Sequence, residues 1–121
     1  MNGYSIHEQL TTIGLTEKES RVYLAALTSG PTTVVALAEE TGIKRPTVYV
    51  AIKSLAERGL MESRQNGKRT AFVAASPKRI AALLEEERRA NATRRKILDT
   101  ILPELLAFTR EMKLETVEIE R

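Results

Sequence analysis

Residues 33–60 read TVVALAEETGIKRPTVYVAIKSLAERGL. This stretch limits the possible folds more than any other. Val34, Leu37 and Ala38 recur at i, i+3, i+4, the spacing of one helix face. Gly42 ends that pattern, because only glycine enters the left-handed conformation without steric cost. Ile43 follows and plugs the gap between helices. The second pattern starts at Arg45-Pro46, with proline tolerated in a first helical turn. Val48, Ala51, Ile52, Leu55 and Ala56 form its apolar side, and Gly59 closes it. Two helices so joined, the second held by one face, predict a helix-turn-helix whose second helix, residues 45–57, can enter a DNA groove. Its open face carries Lys44, Arg45, Thr47, Tyr49, Val50, Lys53 and Ser54, with no acid before Glu57. The bland alternative is a helical hairpin whose polar face is merely wet.

Charge separates these readings. Residues 1–43 carry Lys18 and Arg21 against Glu8, Glu17, Glu19, Glu39 and Glu40. Residues 44–69 carry Lys44, Arg45, Lys53, Arg58, Arg64, Lys68 and Arg69 against only Glu57 and Glu62. Positive charge concentrated in the second helix and the segment after it is the footprint of a face that binds a polyanion. The chain has no cysteine and one histidine, His7. A thiolate nucleophile, a zinc-thiolate site and a histidine cluster within one chain are therefore excluded. No Ser/His/Asp set or phosphate-cradling loop is present, so the expectation is a non-enzyme without metal or cofactor. No apolar run approaches a membrane span and no signal-peptide pattern opens the chain, which predicts a cytoplasmic protein with no membrane partner.

Upstream, Ile6, Leu10 and Ile13 are spaced for a short helix ending at Gly14, with His7 on its solvated flank. Thr16 and Glu19 have capping-box spacing, so a new helix starts there. Val22, Tyr23, Ala26 and Leu27 give it an apolar face, with the Tyr23 hydroxyl expected at the edge of the core. Gly30-Pro31 ends that helix, and Thr33 is the expected N-cap of the next.

Downstream, residues 62–73 predict a two-stranded hairpin. Asn66-Gly67 is its turn signal, because a type I′ turn needs positive φ at both central positions. A basic hairpin directly after a helix-turn-helix is expected to be a wing, with Arg64, Asn66, Lys68 and Arg69 reaching the DNA backbone or the minor groove. Taken alone, it is a surface hairpin kept soluble by its charges. Ser76-Pro77 punctuates the chain, and a long helix over 77–113 follows, interrupted and kinked near Pro103. Ile80, Leu83 and Leu84 are spaced to pack on the winged domain. Ile97, Leu98, Ile101, Leu102, Leu105 and Phe108 form a second stripe with no core left to cover, the pattern of a dimer interface. Residues 114–121 alternate like a short strand. The expected domains are thus 1–76, 77–113 and the 114–121 tail.

The stretches IGLTEKESRVYLAAL, GPTTVVALAEETGIKRPTVYVAIKSLAERGLM and NGKRTAFV, with ILPELL in the long helix, resemble the TrmB-like transcriptional regulators. The resemblance implies a mainly α fold, a winged helix-turn-helix with three-helix core and two-stranded β-wing, followed by a long dimerisation helix. Many members carry a C-terminal sugar-sensing domain. After Met112 nine residues remain here, so the chain reads as a short form or a fragment, and no small-molecule effector is assigned. The expected function is a homodimeric, sequence-specific, double-stranded-DNA-binding regulator. Arg45, Thr47, Tyr49 and Val50 would read bases, and Lys44, Lys53 and Ser54 with the wing residues would hold the backbone. The alternative is a winged-helix module that binds protein.

Overall fold

The computed structural model describes residues 3–113. Its elements run α1 (Gly3–Ile13), α2 (Glu17–Ser29), α3 (Val34–Thr41), α4 (Arg45–Glu57), β1 (Met61–Asn66), β2 (Arg69–Ala74) and α5 (Lys78–Lys113). This is a winged helix-turn-helix followed by a long helix. The strand expected at 114–121 lies outside the described residues. The chain divides into two compact units between Leu83 and Leu84, inside α5 rather than at the Ser76-Pro77 punctuation. The reason is local: Leu83 is buried and Ile80 packs on the same core, so the first turns of α5 belong to the winged unit. Leu84, expected to join them, is exposed.

The core is aliphatic, built from Leu15, Val22, Leu37, Ile43, Val48, Ile52, Leu55 and Leu60 around Tyr23. Helix α2 organises it. Its N-terminus carries the expected capping box: the Thr16 hydroxyl accepts from the Glu19 amide, and a Glu19 carboxylate oxygen accepts from the Thr16 amide. Two orphan donors of the first turn are thereby satisfied. Thr33 caps α3 by accepting from the Ala36 amide at 3.1 Å. Gly42 ends α3 at φ 75, ψ 11, the left-handed conformation that reverses the chain into Ile43.

Tyr23 lies in the core with its hydroxyl at the edge, as expected: the hydroxyl donates to the carbonyl of half-buried Ala75 at 2.8 Å, joining α2 to the segment after β2. Burial raises its pKa above the ordinary tyrosine value. His7 is half-buried rather than solvated, with Nδ1 3.3 Å from the Ser20 hydroxyl.

β1 and β2 pair antiparallel, with Asn66 opposite Arg69. The two-residue turn is therefore Gly67-Lys68, one position later than the Asn-Gly signal suggests. Gly67 has φ 68, and among the described residues no non-glycine has positive φ. Positive φ at the first central position alone is the pattern of a type II′ turn, which places glycine there. A further pairing is not visible in the sequence. Thr32 forms an antiparallel bridge with Phe72, its amide donating to the Phe72 carbonyl at 2.9 Å and its carbonyl accepting the return bond at 2.8 Å. The wing is thus fastened to the segment just before α3.

Candidate nucleic-acid interface

Helix α4 stands on a fully apolar base, with Val48, Ala51, Ile52 and Leu55 all buried. The i, i+3, i+4 spacing of those residues forces the remaining positions outward. Lys44, Arg45, Pro46, Tyr49, Val50 and Lys53 are exposed, and Thr47 is half-buried. Tyr49 is 58% exposed and Val50 68%, well above what large apolar side chains of a core helix show. No side chain caps this helix: Lys44 occupies the N-cap position without making a capping bond, and Pro46 follows inside the first turn. The amides of Arg45 and Thr47 therefore lie where no carbonyl of the helix itself can accept from them. With Lys44 and Arg45 side by side at its start and no acid in that turn, this end suits an anion.

α2 holds both helices of the pair by opposite charges. The Arg21 guanidinium donates to the Thr41 carbonyl at the C-terminal end of α3, where a cation also complements the helix dipole. Glu19 grips α4. Its carboxylate accepts from the Ser54 hydroxyl and from the Arg58 guanidinium, while Arg58 also donates to the Gly14 carbonyl at 3.2 Å. Glu19 is 6% exposed. Burial, the largest single influence, pushes its pKa up, but the Ser54 hydroxyl, the Thr16 amide and the Arg58 charge together outweigh it, and the net shift is downward. Among the described residues, every buried side-chain nitrogen and oxygen has a hydrogen-bond partner.

This network corrects two residues. Ser54, expected beside Lys53 at the DNA backbone, has its hydroxyl turned onto Glu19. Arg58, part of the basic footprint in the sequence, is engaged by the same carboxylate. The sequence pattern marks Glu19 only as a capping residue. The signal for its second role is the i, i+4 spacing of Ser54 and Arg58, which places both on one flank of α4.

The wing supplies the rest of the basic surface. Arg64, Lys68 and Arg69 are exposed, and Arg64 lies 4.0 Å from Glu62, a loose pair between two open side chains. Asn66 closes β1 opposite Arg69. Between wing and helices lie two shallow clefts that share Tyr49 and Phe72. One also involves Ile52, Lys53, Ala56 and Met61, and the other Thr33, Val34, Val35 and Thr70. Lys44, Arg45, Tyr49, Val50 and Lys53 thus share the open side of α4, with the basic wing directly following it in the chain.

In α5 beyond Leu83, the side chains Ile97, Leu98, Ile101, Leu102, Leu105, Leu106 and Phe108 are 38–63% exposed. On the same helix, Glu85 accepts from Arg88 at 2.8 Å and from Arg89 at 3.2 Å, and Arg95 pairs with Asp99 at 3.1 Å. These are open helix-surface pairs that contribute little on their own. Pro103 lies within α5, which continues through it, leaving the Asp99 carbonyl without its usual helical donor. Among the described residues no group of His, Cys, Asp or Glu is placed to hold a metal ion, and no helix is long and apolar enough to cross a membrane.

A family model described as the sugar-specific transcriptional regulator TrmB matches residues 10–78. Among solved structures, the chain is similar to TrmBL2, described as an archaeal chromatin protein with a novel mode of DNA binding. The identity is 19% and the TM-score 0.75, over 99% of this chain and 46% of that one. This chain thus spans less than half the length of that protein. A possible transcriptional regulator from Methanosarcina mazei Go1 is 20% identical with a TM-score of 0.57, over 76% of this chain and 80% of its own. A MarR-family transcriptional regulator from Silicibacter pomeroyi is 17% identical with a TM-score of 0.53, over 96% and 82%. At these identities the likeness is one of fold. No match was found among the curated proteins.

Proposed function

The chain belongs to the TrmB family of transcriptional regulators, and from that premise we propose that it is a homodimeric, sequence-specific, double-stranded-DNA-binding regulator. The observation that carries the reading is the open side of α4. A helix whose base is buried presents Arg45, Tyr49, Val50 and Lys53 with no acid in its first turn. A structural helix has no need of two exposed large apolar side chains between cations, whereas a helix lying in the major groove uses both kinds.

Each residue has a role in this reading. Arg45 donates two parallel bonds to a guanine edge, and Thr47, Tyr49 and Val50 meet neighbouring base edges. Lys44 and the open amides of the first turn hold a phosphate, with Lys53 on the groove wall. Arg64, Asn66, Lys68 and Arg69 of the wing lie along the backbone or the minor groove. Ser54 leaves this set because its hydroxyl is engaged by Glu19. The exposed stripe of α5 is the surface that joins two copies. Among the described residues its side chains stand 38–63% exposed, and each large aliphatic side chain gains about 1.5–3 kcal/mol on full burial.

The test is a salt titration of the full chain against a random duplex pool. If a dimer neutralises roughly 6–10 phosphates, log K falls against log salt with a slope of about −5 to −9. Absence of binding to any duplex at low salt would overturn the proposal.

A further inference from the structure

Deepening the DNA-binding reading on which it rests, we infer that Val50 is a thymine-selecting residue, seated against the 5-methyl group of one thymine on the major-groove edge of the bound site. Val50 is 68% exposed, the highest value among the large apolar side chains of the described residues. It lies three positions before Lys53 and three after Thr47 on α4, so all three share a helix face. A cationic surround draws in a polyanion, but an isopropyl group can neither donate nor accept a hydrogen bond once there.

The chemistry of the groove selects its partner. Guanine, adenine and cytosine present only donors and acceptors on that edge, and thymine alone adds a methyl group. Setting an isopropyl group against a polar edge strips water from it and returns no bond. Setting it against a methyl buries two apolar groups together. Val50 therefore favours thymine and disfavours the other three bases by one contact, a preference with both an attractive and a repulsive component. Tyr49 extends the apolar ground beside it. Its ring borders both clefts next to the wing, one reaching Val35 of α3 and both reaching Phe72. Arg45, one turn earlier, keeps the guanine contact.

The experiment uses duplexes that the full chain enriches from a random pool. Each thymine is replaced singly by deoxyuracil, which keeps O4 and its pairing and loses only the methyl. At one or more positions in each half-site, affinity is expected to fall about four-fold, the equivalent of unburying one methylene-sized group. Val50→Ser is expected to bind the thymine and uracil sites alike at those positions while keeping the salt slope. Val50 contributes nothing to the core, so an unchanged melting temperature for Val50→Ser is part of the expected result. If uracil is tolerated everywhere while the duplex is still bound, the inference falls and the DNA-binding reading stands. If Val50→Ser keeps the thymine preference, the assignment to Val50 falls. If no duplex binds at low salt, both fall together.

Discussion

Glu19 shows how one side chain can carry both a local and a long-range role. Its carboxylate completes the α2 cap, engages Ser54 and pairs with Arg58, so the start of one helix and the flank of another share a single charge. Glu19→Gln is expected to destabilise the fold by about 1.5–3 kcal/mol, the range for losing a hydrogen bond to a charged group. Thermal and denaturant melts measure it. The carboxyl group's pKa is depressed in the folded state, so its contribution is complete above the unfolded carboxylate value, about pH 4.3. It is lost as pH falls from there through the folded value. The variant should therefore show a shallower loss of stability with acid than the parent. An equally steep loss would mean that Glu19 is not the titrating group. This role is hard to read in the sequence because periodicity assigns a face and no partner. Ser54 and Lys53 look alike as polar positions beside a basic stretch, and only folding brings Glu19 from 35 positions away to claim one of them.

Elements are the most legible level, and the exceptions have physical causes. Capping box, Gly42 turn and apolar helix faces each rest on a short-range rule, and each is present in the fold. The hairpin is legible too, but its turn sits one residue later, because strand pairing at Asn66 and Arg69 sets the register and Gly67 alone supplies the positive φ. Gly67→Ala should cost about 1–2 kcal/mol of local strain, concentrated in the wing, since open space surrounds a Cβ there and no clash adds to it. Gly67→Asn should cost less, as asparagine tolerates left-handed backbone better. Amide exchange in β1 and β2 reads the difference, and equal protection in all three proteins would contradict the turn assignment. The Thr32–Phe72 bridge has no sequence signature because a single pairing leaves no alternation to detect. In binding, the wing and α4 should separate cleanly. Lys68→Ala with Arg69→Ala is expected to weaken all duplexes alike and to flatten the salt slope by about one for each phosphate no longer neutralised. Arg45→Ala should instead relax preference at one base, at about 1–3 kcal/mol. A wing variant that loses only specific affinity would reverse these roles.

For the whole molecule, the question is what α5 joins. Its winged end is settled by Ile80 and Leu83, which pack into the core, while Ile97 to Phe108 remain open along the same helix. The charged turns between them give poor packing but good register, because Glu87 and Arg94 stand at heptad spacing. On the proposed reading, a two-fold pairing of these helices brings two winged units to one duplex. The preferred site is then a pseudo-palindrome. Engagement of one half-site raises the effective concentration of the second unit at the other, so affinity depends on the dimer. A chain ended at Glu87 keeps the entire core with Leu83 and should fold, sediment as a monomer and bind DNA far more weakly. Ile101→Asp with Leu105→Asp should do the same in the full chain. Neither residue belongs to the core, so the winged unit should melt as before. Equilibrium sedimentation decides the matter. A parent chain that stays monomeric at tens of micromolar, or a doubly substituted chain that remains dimeric, would place the interface elsewhere and remove the palindrome from the expected site.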